Sequence, residues 1–269
     1  MSDAVSFQLE KGIARITLSK PARRNALDEA MWTALGETVD AAAAQRPRAL
    51  IVTGTDGHFA AGMDLSPDNP IQARVAPAIF QGETIAATNV ITWLKGIVAR
   101  LAEFPAPTIA AIEGACAGSG FEIALHCDIR VAARNAFFSL PEVRIGMVPD
   151  VGGTTRLTRL VGTGRAARLI ATGERVTADE AFTLGMVERV VEPGRALGEA
   201  EDMAKLIAKG APTAVREALA VIRRVPDLSL ADAYAAETAA GAAALTSGEP
   251  LEGIQAFFEK RDPRWPEDG

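Results

Sequence analysis

Two glutamates, Glu122 and Glu142, and two loops of small residues are the parts of this 269-residue chain whose types and spacing could do chemistry. The loops are His58-Phe59-Ala60-Ala61-Gly62-Met63-Asp64 and Glu113-Gly114-Ala115-Cys116-Ala117-Gly118-Ser119-Gly120-Phe121-Glu122. Small side chains let a ligand approach the backbone, and a helix opening near Ser119 points unpaired N–H groups outward. Amides from two separate strand ends can converge on one oxygen, which is what stabilising an oxyanion requires. Glu122 falls one turn into that helix, on the side of the amides, and Glu142 follows Leu140-Pro141 at the end of a strand. Two carboxyl groups facing one cleft can take up one proton and deliver another, provided their surroundings separate their pKa values. Asp150 is a candidate third acid. Histidines occur only at positions 58 and 126, so proton chemistry leans on carboxylates. Either loop alone is as well explained by tight strand-to-helix packing, and either glutamate alone by a solvated position. Their combination points to chemistry.

The elements that must position these residues read as follows. Val5, Phe7 and Leu9 alternate with polar neighbours, as do Ala14, Ile16 and Leu18. With Lys11-Gly12 between them, the two runs predict a β-hairpin apolar on one face. Asp28 can cap a helix carrying Met31, Leu35 and Val39, which Pro47 stops. Residues 49–53 and 108–112 are short apolar runs ending at Gly54 and near Gly114, as expected of strands buried on both faces of a parallel sheet. Between them, residues 66–103 are part loop and part helix, with Phe80 and Trp93. Residues 129–132, 137–140 and 187–191 are further strands. From Arg195 onward only helices are predicted, with Pro212, Ser229 and Pro250 at their starts. The fold class is therefore α/β, with a core domain over 1–194 and a helical region over 195–269. Ala233, Ala236, Ala240 and Ala244 permit close helix contact, either with the protein's own core or with another subunit.

Composition removes several function classes. The 28 basic and 34 acidic residues leave a net charge of −6, and the basic ones form no run, which argues against a nucleic-acid surface. Cys116 and Cys127 lack metal-ligand spacing and read as buried thiols. The first ten residues have no signal-peptide pattern, and no uninterrupted apolar stretch reaches the ~18 residues of a membrane span. A cytoplasmic location and no membrane partner are expected.

The chain resembles the enoyl-CoA hydratase/isomerase family, also called the crotonase family, over nearly its whole length. The resemblance is carried by Pro21…Arg24-Asn25-Ala26-Leu27, by Phe59 through Leu65, and by Ile109 through Asp128. It continues in Phe138-Ser139-Leu140-Pro141-Glu142…Gly146-Met147-Val148-Pro149-Asp150…Gly152-Gly153…Arg156-Leu157 and in Phe257-Phe258-Glu259-Lys260-Arg261. It implies a spiral of ββα units with a C-terminal helical trimerisation region, assembling as a homotrimer or hexamer. It assigns the oxyanion amides to Met63 and Ser119, and the hydratase acids to Glu122, which activates water for attack at C3, and Glu142, which protonates C2.

By the same resemblance Arg24, Ala61, Gly62, Asp64, Leu65, Gly118 and Lys260 contact an acyl-CoA thioester. Lys260 would do so in its own or a neighbouring subunit, with the acyl chain running toward 66–103. Coenzyme A is part of the substrate, and neither a metal nor a further cofactor is implied. Two features depart from the commonest pattern. Ser119 stands where the family usually has glycine or alanine, and Asp150 matches in position an acid of the dienoyl-CoA isomerases. Hydration of a trans-2-enoyl-CoA is the leading expectation. Double-bond isomerisation with the same carboxylates is the alternative, and a non-catalytic acyl-CoA-binding or RNA-binding relative the rival from another class.

Overall fold

The computed structural model describes residues 4–265. β1 (Val5–Glu10) and β2 (Ile13–Leu18) form the expected antiparallel hairpin. Ala14, Ile16 and Leu18 are fully buried, whereas Leu9 on the edge strand is 43% exposed. A short 3-10 turn at Pro21–Arg23 leads to α1 (Glu29–Ala44), where Asp28 caps the helix by accepting from Met31 N at 2.9 Å. β3 (Ala49–Gly54) follows, then α2 (Pro70–Gln81), α3 (Thr84–Ala102), β4 (Thr108–Ile112), β5 (Ala115–Ala117) and α4 (Ser119–His126). Next come β6 (Ile129–Ala133), β7 (Phe137–Ser139), a 3-10 turn at Glu142–Ile145, α5 (Gly153–Val161), α6 (Thr163–Thr172), β8 (Val176–Thr177), α7 (Ala178–Leu184) and β9 (Arg189–Val191). The chain ends in α8 (Ala196–Ala208), α9 (Pro212–Arg224), α10 (Leu230–Thr246) and α11 (Glu249–Glu259).

The main sheet runs β1-β2-β3-β4-β6-β9 and is parallel from β2 onward, so each strand delivers its C-terminal loop to the same edge. A second sheet, β5-β7-β8, stands beside it. Period-two alternation splits the core. Leu50, Val52, Ala110 and Ile112 face α1, α3 and α4, whereas Ala49, Ile51, Ile109, Ala111 and Val131 face Ala196, Ala200 and Ala204 of α8. The 195–269 segment thus begins with a helix that seals one face of the sheet, and three further helices follow it.

Helices stand where the sequence expectation had none. The sequence reading assigns no helix between Gly153 and Leu184, where the structure has α5, α6 and α7. Among the described residues α3 has the length and mean hydropathy, 1.2 over 18 residues, of a bilayer-crossing segment. It nevertheless carries Lys95 and Arg100 and buries Val90, Leu94, Ile97, Val98 and Leu101 in the core shared with α1 and α4.

Candidate active site

The two small-residue loops are stitched together by backbone bonds. Phe59 N and Ala60 N donate to Ala115 O at 3.1 and 3.0 Å, and Ala117 N donates to Ala60 O at 3.0 Å. Glycine is needed where they touch. A Cβ on Gly62, whose φ is +101°, would stand 2.9 Å from Ala117 O and 3.5 Å from Ser119 N. One on Gly120 would stand 2.4 Å from Ala60 O. The first loop is also tied backward, because Ala61 N donates to Arg24 O, Leu27 N to Gly62 O and Asp64 N to Leu27 O. Met63 N and Ser119 N, the two amides named from the sequence, have no acceptor among the described residues. They belong to segments whose contacting atoms lie within a few ångströms of one another. Two free amides on loops this close can be aimed together at one oxygen.

Two side chains hold this arrangement from behind. Asn25 is fully buried, and its Nδ2 donates to Thr55 O at 2.9 Å and His58 O at 2.8 Å. His58 Nδ1 accepts from Ala115 N at 3.1 Å, which joins the first loop to the second.

α4 begins at Ser119 because Gly118 takes φ +52°, ψ −133° and turns the chain off β5. Glu122, in the first turn of α4, is 2% exposed. Its Oε1 accepts from Val151 N and Gly153 N, both at 2.8 Å. Burial pushes its pKa up to about 8 against the pull of the Gly153 amide, and the neighbouring charges of Glu142 and Asp150 add to the rise. Glu142 opens the 3-10 turn after β7, with Oε1 3.1 Å from where a Cβ on Gly118 would lie. Burial and then Asp150 hold its pKa above the ordinary value. Asp150 is raised by burial, with Lys95 on α3 opposing. The three acids named from the sequence therefore feel one another in one site.

Two polar atoms in this site, Glu142 Oε2 and Ser119 Oγ, are buried without a hydrogen-bond partner among the described residues. An unmet buried group costs about 1–3 kcal/mol, so both mark places where an incoming molecule gains hydrogen bonds.

Beside Met63 lies an open crevice of about 780 Å³, lined by Arg23, Arg24, Ala61, Asp64, Leu65 and Ser66 among others. Arg24, Ala61, Asp64 and Leu65 are thereby brought together as expected, with Gly62 between them. The Asp64 carboxylate is already engaged. It pairs with Lys20 at 2.8 Å and Arg23 at 3.3 Å and accepts from Ser66 N at 3.0 Å. Burial would raise its pKa, but Lys20 and Ser66 outweigh burial and hold it well below the usual carboxylate range. Asp64 shapes the crevice through these bonds.

Asp64→Asn is expected to lower stability at pH 7 by about 3 kcal/mol. A depressed pKa contributes stability that is present above the unfolded value of 3.8 and lost as pH falls through the lower folded value. Urea unfolding of both proteins should therefore show the gap at pH 7 and see it close only in strong acid. An equal midpoint at pH 7 would contradict this assignment.

Lys260 caps the end of α11 and is not among the residues lining the crevice. Phe80 is 81% exposed, and Trp93 is half-buried with the Arg74 guanidinium 4.4 Å above its ring. Both cysteines are free and buried. A second hollow of about 510 Å³, between the β1–β2 hairpin and α8, contains none of these site residues. Val151, Gly153 and Lys20 were not among the site residues named from the sequence, because main-chain donors carry no residue type and Lys20 meets Asp64 from 44 residues away.

A family model described as enoyl-CoA hydratase/isomerase matches residues 8–268. The 2,3-dehydroadipyl-CoA hydratase of Escherichia coli (strain K12) is 34% identical over 264 residues, covering 98% of this chain and 98% of that protein. The short-chain-enoyl-CoA hydratase of Clostridium acetobutylicum is 34% identical over 262 residues, covering 96% and 95%. The crystal structure of an enoyl-CoA hydratase from Bacillus anthracis matches with a TM-score of 0.87 at 31% identity, covering 99% of this chain and 100% of that one.

Proposed function

The chain belongs to the enoyl-CoA hydratase/isomerase family, and from that premise we propose that it adds water, syn, to a trans-2-enoyl-CoA to give a 3-hydroxyacyl-CoA. The observation that carries this reading is the pair Glu122 and Glu142, both retained and each raised in pKa, with the charge of Glu142 felt at Glu122. In the proposed reaction the thioester oxygen accepts from Met63 N and Ser119 N. Ionised Glu122 takes a proton from water as the water oxygen bonds to C3, and the π electrons move onto the thioester as an enolate. Glu142, as the carboxylic acid, then gives its proton to C2. Glu122 ends protonated and Glu142 ionised, and exchange with solvent resets them. The scheme uses no metal and no redox cofactor.

In this reading Arg24 lies beside the coenzyme A phosphates and the 66–103 segment sets acyl length. The protein works in the cytoplasm as a trimer or a pair of trimers. Apolar side chains left exposed on α10 and α11, among them Leu230, Tyr234, Ile254, Phe257 and Phe258, support assembly. Lys260 would then meet the ligand of a neighbouring subunit.

The proximity of Asp150 to both glutamates favours a second reading, in which the same enolate is reprotonated elsewhere and the double bond moves. Incubation with enoyl-CoA thioesters in 18O-labelled water separates the two. Hydration is expected to remove the conjugated thioester absorbance and place one labelled oxygen in the product. A rearranged, unlabelled product would assign isomerisation, and binding without turnover across short, long, branched and aromatic acyl groups would assign a non-catalytic acyl-CoA-binding protein.

A further inference from the structure

His126, the last residue of α4, is 7% exposed, and no step of the proposed hydration uses it. Its Nδ1 lies 2.7 Å from Glu122 O. A carbonyl oxygen only accepts, so Nδ1 carries the hydrogen and donates it. Burial, and then the Arg156 guanidinium, push the imidazole pKa down to about 4, which leaves the ring neutral near pH 7. The other edge of the ring lies under Gly152, where a Cβ would stand 2.5 Å from Cε1 and 3.0 Å from Nε2. Gly152, with φ +108°, sits between the two residues whose amides hold Glu122 Oε1. One ring therefore separates the main chain of Glu122 from the turn that grips its carboxylate.

We propose that His126 is the positioning residue of the catalytic carboxylate: its ring fixes the spacing between α4 and the 151–153 turn, so that both amides address Glu122 Oε1 and Oε2 is left for water. The inference rests on the hydration reading for its effect on rate, but not for its effect on Glu122 itself. Hydrogen bonds to a carboxylate favour the charged form, so loosening the turn raises the pKa of Glu122. The other charged groups in reach are Glu142 and Asp150, with Lys95 facing Asp150 and Arg156 facing the ring.

The test compares wild type, His126→Ala and His126→Met, where methionine fills the wedge without donating. Carboxyl-13C NMR of the unliganded protein should show Glu122 titrating about one pH unit higher in His126→Ala, with His126→Met in between. In His126→Ala kcat for enoyl-CoA hydration should fall about tenfold with KM within about twofold, and the limb of the kcat profile that lies near pH 8 should move up with the NMR titration. A His126→Ala protein that melts earlier but keeps the wild-type Glu122 titration would overturn the proposal and leave His126 a packing residue. If His126→Ala does not fold, His126→Met carries the comparison, and an unshifted titration there overturns the proposal equally. Absence of hydration in the wild type with the titration shift still present would sink the functional reading alone.

Discussion

Glu122→Gln should lower hydration turnover by roughly 10³-fold while raising thermal stability at alkaline pH. The activity loss follows from removing the group proposed to take the proton from water, a contribution of about 10²–10⁴ for a placed base. Stability moves the other way because Glu122 sits 2% exposed with its pKa lifted from 4.5 to about 8. Below pH 4.5 the carboxyl is protonated in the folded and unfolded chain alike and costs nothing. Between pH 4.5 and about 8 the unfolded chain ionises first, so stability is lost as pH rises, and above pH 8 the loss levels off at about 3–5 kcal/mol. Glutamine keeps an oxygen for the Val151 and Gly153 amides and never ionises. Melting temperature against pH for both proteins, beside kcat, checks the two halves together. Equal pH dependence would remove the buried-acid assignment, and retained turnover would remove the catalytic one. Glu142→Gln should cost comparable activity with a smaller gain in stability. In the wild type kcat should be bell-shaped in pH, with an alkaline limb near pH 8 and an acid limb below it, both belonging to the coupled pair.

Gly120→Ala should cost about 10²–10³ in kcat and a few kcal/mol in stability. The added Cβ would lie 2.4 Å from Ala60 O, 2.7 Å from Ala60 Cβ and 2.9 Å from Ala60 C. These are backbone atoms or atoms fixed to the backbone, so no side chain can swing aside and the two loops must part. Ala60 O is also the acceptor of Ala117 N, so the bond that joins the loops lengthens and the two amides no longer meet at one oxygen. Losing one oxyanion donor alone costs roughly 10²–10³, and overpacking costs about 1–3 kcal/mol. The control is Gly96→Ala, in α3 with open space around the position, where alanine should stabilise by about 0.5–1 kcal/mol and leave kcat alone. A fully active Gly120→Ala protein would mean that the loops are not held at the separation described.

Residue types announced the parts of this molecule that depend on side chains. The alternation of β2, the Asp28 cap of α1 and the unbroken apolar runs of β3 and β4 were all legible, because each is enforced by burial or by a side-chain hydrogen bond. Glu122 and Glu142 could be picked out only in combination with the two small-residue loops, since either glutamate alone reads equally as a solvated position. What depends on backbone went unseen. β5 and β8 have three and two residues, too few to show a period. α5 and α6 carry Gly153, Gly164 and several threonines, which are poor helix formers, although Leu157, Val161, Ala166 and Leu169 keep a helical spacing in the core. The turn at 151–153 holds the key carboxylate with amides that any sequence would possess. His126 could have been noticed, since a lone histidine four residues after a glutamate on one helix shares its face.

The alanine face of α8 bears on how the protein is made. Ala49, Ile51, Ile109, Ala111 and Val131 have α8 as their cover, and α8 ends at Ala208. During synthesis the strands leave the ribosome well before that cover does. A nascent chain halted near residue 194 therefore presents a bare apolar sheet to solvent, the kind of surface that chaperones hold and that aggregates when they do not.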